Sequence, residues 1–230
     1  MPNNDHYIKL LKENFPNISF SNLENLEEGY CAELYDILTK TNARLKNYAF
    51  NILQEIIVFL FSGEMKNACA AYNDEEKILK INSLYYVIAD NKESEEKRKK
   101  YIKICHCMFK VAVTHELWHY FIREFNLKYV EEWKEIPIFY EDHEDTIIEF
   151  FEFIKPRVTK NNNEKEMERK YAYPLDQIHE EFIVEAIAWL ELEIIVSKKL
   201  KNEEYKKVFD FAEGIYNSYK NHLKNYLKRR

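Results

Sequence analysis

Helical spacing of apolar residues dominates the chain. Only three glycines and five prolines interrupt its 230 residues, so long helices are expected and a sheet with many tight turns is not. The clearest helix begins near Ser94 and continues through "IKICHCMFKVAVTHELWHYFIREF", which is apolar almost all round in its later turns. A helix of that kind belongs in the centre of a domain. The pattern therefore predicts a mainly α protein built around this helix.

Helical spacing also extends over both ends of the chain. A short helix is predicted over "HYIKLLKENF", and helical spacing continues with interruptions as far as Phe61. Pro174 precedes a second strong helix, "LDQIHEEFIVEAIAWLELEIIVSKKL". The C-terminal segment repeats apolar residues at Val208, Phe211, Ala212, Ile215, Tyr219, Leu223 and Tyr226. This last helix is expected to pack by that one face.

One stretch departs from the helical pattern toward β-structure. Two short runs rich in β-branched and aromatic residues, near Ala68–Tyr72 and Ile78–Ile88, flank the turn-forming sequence "NDEE". This arrangement is typical of a β-hairpin. The predicted fold class is thus mainly α (α+β), with a small β-hairpin or sheet directly before the central helix.

Length and composition favour a single domain over residues 1–230. A chain of this length with 46% apolar residues can bury one substantial core. The expected order along the chain is an N-terminal helical region (1–63), the hairpin and central helix (64–125), an acidic and polar insert (126–173), and two further helices (174–230).

Charge, hydrophobic runs and cysteine content bear on the partners and the cellular location expected for the protein. Charged residues make up 32% of the chain and the formal net charge is -6, so the overall charge does not predict a surface that binds nucleic acid. The most apolar run, Ile56–Phe61, is far too short to cross a bilayer, and the N-terminus lacks the apolar core of a signal peptide. Four cysteines are too few for a secreted disulfide framework. We expect a cytoplasmic protein that binds neither membranes nor nucleic acid; its oligomeric state stays open.

The central helix carries two histidines four residues apart, in "AVTHELWHYF". On a helix, His115 and His119 are rotated by about 40° and lie about 6 Å apart along the axis, so their imidazoles can converge on one ion. Glu116 lies about 100° round from His115 and can reach a water on that ion. In this HExxH arrangement, neutral imidazoles hold Zn²⁺ and the glutamate is the general base. The alternative is a pair of core histidines that neighbouring groups satisfy.

A zinc site needs a third protein ligand, and "HEEFIVEAIAWL" offers carboxylates on an otherwise apolar helix. Glu181 and Glu185 lie four residues apart and share a face, and buried carboxylates need partners. We expect Glu181 to coordinate zinc and Glu185 to accept the free N–H of His115, although the reverse assignment is also possible. His179 and Tyr173 are candidates for stabilising an oxyanion or lining the cleft.

The two motifs together resemble the gluzincin branch of the zincin metallopeptidases. The greatest similarity is to the ImmA/IrrE-type domain, whose second motif is roughly E-x-x-A-N-x-F-A. In "EFIVEAIA", Glu181 aligns with the family's metal ligand, and Val184 and Glu185 align with its A-N pair. The resemblance covers about Ala68 to Leu192. It implies a zincin-like fold with a small sheet before the HExxH helix, whose edge strand holds an extended peptide.

The predicted function is a zinc-dependent metallopeptidase that hydrolyses peptide bonds in an intracellular protein, with the metal-bound water activated by Glu116. One alternative is a catalytically silent zincin-fold module for binding or regulation, in a phage or host-defence setting. Glu116 argues against it, because a purely structural site needs no base there. Another alternative is a helical interaction protein without metal, in which the core histidines and glutamates pair with each other.

Overall fold

A computed structural model of the protein describes residues 4–27, 29–45, 49–60, 68–83, 95–154, 177–193 and 200–228. The helices are α1 (Asn4–Asn14), α2 (Tyr30–Arg44), α3 (Glu95–Glu124), α4 (Glu135–Ile154), α5 (Ile178–Glu191) and α6 (Glu203–Lys228). The strands are β1 (Ser19–Ser21), β2 (Glu55–Phe59), β3 (Ala70–Asn73) and β4 (Ile78–Asn82). The described residues are mostly helical with one small mixed sheet, which confirms the predicted α+β class. Among them, no helix is both long and apolar enough to cross a membrane.

The sheet has the strand order β1-β2-β4-β3. β1, β2 and β4 run parallel, and β3 pairs antiparallel with β4, with Tyr72 opposite Leu79. The predicted hairpin is confirmed by β3 and β4, which flank the turn at residues 74–77. Residues 84–88 of the predicted second strand lie outside the described residues. β3 therefore stands at one end of the strand order.

The N-terminal region differs from the helical pattern predicted as far as Phe61, because β1 and β2 lie within it. In β2 the sequence "EIIVF" is rich in β-branched residues, which favour strands. Ile56 and Val58 are fully buried while their neighbours are half-buried, so burial follows the two-residue period of a strand. A five-residue apolar run is too short for periodicity to separate strand from helix.

α3 is the predicted central helix. Between Val111 and Ile122 its side chains are buried on nearly all sides, as the pattern predicts. The helix is followed by Asn126, whose φ of 53° lies in the left-handed region, and asparagine accepts this conformation more readily than most residues. α2 and the hairpin strands both pack against α3. α3 thus connects helix packing to the sheet.

The chain groups into two compact units. The first comprises Met1–Lys128 and Lys220–Arg230. Its core includes Phe50, whose ring lies 5.9 Å from that of Phe15 and 6.3 Å from that of Phe121 on α3. These contacts connect the end of α1 to α3 through the segment before β2.

The second unit comprises Tyr129–Tyr219. Phe139 of α4 stacks on Phe211 of α6 with ring centroids 3.8 Å apart, and it lies nearly parallel to Phe182 of α5 at 6.4 Å. The three helices of this unit therefore meet around an aromatic cluster.

α4 gives the first part of the predicted insert (126–173) a regular structure. The residues Ile136, Tyr140, Ile147 and Phe150 are buried, and their spacing is that of one helix face. Acidic residues occupy most of the exposed positions between them, so a charged sequence conceals an amphipathic helix. Residues 155–173 of the insert lie outside the described residues.

Candidate functional site

His115 and His119 face each other across one turn of α3. Their Nε2 atoms are 3.1 Å apart, and their side chains belong to residues only 8% and 6% exposed. Two nitrogens that each lie about 2.0–2.1 Å from one tetrahedral zinc ion are separated by about 3.3–3.4 Å. The predicted convergence of the two rings is therefore confirmed, and the donor atoms lie within a few tenths of an ångström of the separation that zinc requires.

The same distance also suits a direct hydrogen bond between the rings. A neutral imidazole has one N–H and one lone pair, so one ring can donate to the other. Such a hydrogen bond requires opposite tautomers, with a hydrogen on the Nε2 of one ring and a lone pair on the Nε2 of the other. If both Nε2 atoms carried a hydrogen, two N–H groups would face each other. The environment of the pair must distinguish a zinc site from a hydrogen-bonded pair.

Glu116 lies beside the histidine pair. Its Oε1 is 3.9 Å from His115 Nε2, and its Oε2 accepts a hydrogen bond of 2.7 Å from the main-chain N–H of Tyr72 on β3. The carboxylate side chain is 14% exposed, so water can reach it. The two oxygens thus have different neighbours: one lies on the histidine side, and the strand holds the other.

Two buried hydroxyl groups accompany this part of the first unit. The hydroxyl oxygens of Tyr72 and Thr114 are buried with no hydrogen-bond partner among the described residues. The ring of Tyr72 packs edge-to-face on Tyr120 at 5.7 Å. Burial raises the pKa of both phenols, that of Tyr120 to about 12 and that of Tyr72 further, with Asp74 adding to the latter shift. Both tyrosines are therefore neutral hydrogen-bond donors across the range in which proteins work.

α5 of the second unit carries the predicted carboxylates, but their burial differs from the prediction. Glu180 is the buried acid, at 2% exposure, whereas Glu181 and Glu185 are only half-buried. Consecutive residues on a helix are rotated by about 100°, so Glu180 lies on the face next to that of Glu181 and Glu185. Because α5 is apolar nearly all round, that neighbouring face is also buried. The tandem Glu180–Glu181 in an apolar helix is the signal that could have identified Glu180.

Other residues of the second unit surround these acids. Burial raises the pKa of Tyr219 far above its usual range, and the carboxylates of Glu180 and Glu132 raise it further. Glu185 accepts a hydrogen bond of 3.1 Å from the indole N–H of Trp189, one turn later. The predicted contact between Glu185 and His115 stays a prediction.

The remaining candidates have simpler environments. His179 is half-buried and packs edge-to-face on Tyr140, with ring centroids 5.3 Å apart, so its ring helps to pack α5 on α4. Tyr173 lies outside the described residues. None of the four cysteines is in a disulfide, and burial raises the pKa of Cys31 to about 12, so this thiol is a poor nucleophile. Comparisons of the chain with protein-family models, curated proteins and solved structures found no match.

Proposed function

We propose that the protein is a zinc-dependent peptidase in which His115, His119 and Glu181 hold Zn²⁺ and Glu116 is the general base. The observation that carries the proposal is the 3.1 Å separation of the two Nε2 atoms with the Glu116 carboxylate directly beside them. In further support, Glu181 offers a half-buried carboxylate on the largely apolar helix α5. Imidazole nitrogens and a carboxylate oxygen are donors that suit zinc.

A zincin-like fold of the gluzincin, ImmA/IrrE-like type is part of this proposal. Its support is the order of the elements: a small sheet that finishes with the β3–β4 hairpin, then α3 with the HExxH sequence, then α5 with Glu181. β3 stands at the end of the strand order and packs against α3. A strand in that position offers main-chain groups to an extended peptide.

The proposed chemistry assigns each oxygen of Glu116 a task. Zn²⁺, when bound, supplies Lewis acidity and lowers the pKa of a water toward neutrality. Oε1 of Glu116 is the atom that accepts the proton, because it lies on the histidine side, 3.9 Å from His115 Nε2. The same carboxyl group then donates a proton to the leaving amine. The substrate we propose is an extended segment of a protein in the cytoplasm.

A catalytically silent zinc-binding module, used for binding or regulation, is the second candidate. The observation in its favour is the 2.7 Å hydrogen bond from Tyr72 to Glu116, because a carboxylate that the strand already holds is a less available base. In this alternative the zinc serves structure or sensing.

The decisive experiment combines zinc analysis with the substitution Glu116→Gln. Wild type and Glu116→Gln are expected to contain one equivalent of zinc each, and cleavage in a proteome-wide screen is expected to fall about 10²–10⁴-fold in the variant. Glu149→Gln, which changes an exposed acid of α4, is the matched control and should cleave like wild type. Equal zinc with equal cleavage patterns in wild type and Glu116→Gln would support the silent module. Less than about a tenth of an equivalent of zinc after metal-supplied expression would contradict both candidates.

A further inference from the structure

The main-chain N–H of Tyr72 has a single hydrogen, and Glu116 already uses it. The donor and acceptor atoms are 2.7 Å apart, a distance typical of hydrogen bonds in which one partner is charged. Such bonds are about twice as strong as those between neutral groups. Any other group that needs this N–H must therefore compete with a carboxylate.

The geometry of β3 determines which other group that is. The main-chain N–H of Asn82 donates to the carbonyl of Cys69, so the main-chain polar groups of Cys69 are directed toward β4. Because this orientation alternates along an antiparallel strand, Tyr72, three residues later, directs its main-chain N–H and C=O away from β4. Ala70 has the same orientation. β3 is the last strand in the order β1-β2-β4-β3, so these are the groups with which an added strand would pair.

Resting on the proposed function, in which an extended peptide pairs with β3, we propose that the Tyr72 N–H fixes Glu116 in the substrate-free protein and that the peptide displaces Glu116 from it. The peptide carbonyl opposite Tyr72 requires the same hydrogen that Oε2 of Glu116 accepts. Substrate docking and release of the carboxylate are thus one exchange. Tyr72 is a positioning residue in this scheme, and it acts through its main chain rather than its side chain.

A second contact keeps the hairpin on α3 during such an exchange. Asp74, in the turn between β3 and β4, lies 3.6 Å from Arg123 near the end of α3 and 2.9 Å from Lys77 within the same turn. The pair with Arg123 joins the hairpin to α3 independently of Glu116. Loss of the Tyr72–Glu116 hydrogen bond therefore frees a side chain without detaching the strand.

The first half of the proposal is tested on the zinc-free protein by NMR. Labelling with ¹⁵N-tyrosine limits the amide spectrum to the 17 tyrosines, and Tyr72→Phe identifies the signal of Tyr72 by its loss. We expect this signal to lie downfield in wild type and to move upfield in Glu116→Ala. Glu33→Ala removes a carboxylate of α2 that contacts α3 at His106 and Lys110, and it is the control that should leave the Tyr72 signal in place. An unchanged Tyr72 signal in Glu116→Ala would overturn the proposal.

The second half is tested by binding to casein, an unfolded protein, again without zinc so that no cleavage intervenes. Because Glu116→Ala removes the competitor for the Tyr72 N–H, it should bind casein about threefold to tenfold more tightly than wild type and Glu33→Ala. Equal affinity for all three proteins, or no binding to any, would overturn the displacement. Neither result touches zinc content or the effect of Glu116→Gln on cleavage, so failure here is distinct from failure of the proposed peptidase.

Discussion

α3 carries two histidine clusters whose environments differ in kind. In its first half, His106 stacks on Tyr30 with ring centroids 4.4 Å apart, and its Nδ1 lies 3.2 Å from Oε1 of Glu33 on α2. The Nζ of Lys110 lies 3.1 Å from Oε2, the other carboxylate oxygen of Glu33. Farther along, the Nε2 of His115 lies 3.1 Å from the Nε2 of His119. A histidine with a ring on its face and an acid on its nitrogen is a packing group, whereas two nitrogens aimed at one point suit an ion.

The largest expected difference between the clusters concerns zinc. His115→Ala should reduce zinc affinity at least about 100-fold, because loss of a direct ligand should exceed the 10–100-fold effect of losing an outer partner. His106→Ala should leave zinc affinity unchanged. Competition with a chromophoric chelator measures both, and circular dichroism verifies that each variant is folded. Equal losses in the two variants would remove the distinction between the clusters.

The next effect concerns stability, for which His106→Ala is expected to have a larger effect than His115→Ala. His106→Ala removes the stacked ring and one hydrogen-bond partner of the largely buried Glu33, and should lower the free energy of unfolding by about 1–3 kcal/mol. Urea denaturation of the zinc-free protein measures it. Zinc-free His115→Ala is the matched comparison, and we expect it to lose less, because the hydrogen bond of 3.1 Å between the imidazoles of His115 and His119 is weaker than one to a charged group. A larger loss in His115→Ala would contradict this ranking.

Gly29 offers a smaller change at the same packing cluster. Its φ of 93° is unfavourable for any side chain, and a Cβ added there would lie 2.9 Å from Cε1 of His106. Gly29→Ala should therefore cost about 1–2 kcal/mol of unfolding free energy. In the double variant with His106→Ala the steric clash disappears and the backbone strain remains. The loss of unfolding free energy in the double variant should therefore be smaller than the sum of the losses in the two single variants. Strict additivity would show that the ring is not the obstacle.

The smallest expected effect is a pH dependence. Burial by itself would raise the pKa of Glu33, but hydrogen bonds from His106 and Lys110 outweigh it, and the net pKa is lowered. The ionised form is thus favoured in the folded state. Its contribution to stability is complete above the unfolded pKa of about 4.3 and disappears as the pH falls through the lower, folded value. Urea midpoints between pH 7 and pH 3 should fall less steeply in Glu33→Gln than in wild type.

The sequence predicts the long elements well and the short ones poorly. α3, α5 and α6 contain enough turns for their apolar spacing to identify them, and the hairpin is marked by its turn sequence. β2 is too short for its period to be recognised, and in α4 the exposed acids dominate the composition and hide a buried face. Burial of Ile136 and Ile147 shows that face.

The candidate site divides along a similar line. The spacing of His115 and His119 fixes their convergence, because both lie on one helix. Glu180 could have been noticed, since an acid pair in an apolar helix is unusual. The hydrogen bond from Tyr72 to Glu116 could not, because a main-chain N–H carries no sequence signal and its direction depends on how β3 pairs with β4.

The thirty-residue length of α3 has a consequence for how this protein can change over evolution. His106 and Glu116 are ten residues apart, which on a helix is a rotation of about 1000°, so the two side chains are about 80° apart around the axis. α3 is therefore held at two different angles around its axis, by Glu33 through His106 and by β3 through Glu116. One inserted residue between them would rotate the two contacts by about 100° relative to each other. Insertions and deletions in this segment should survive only in steps that restore the angle, such as seven or eleven residues.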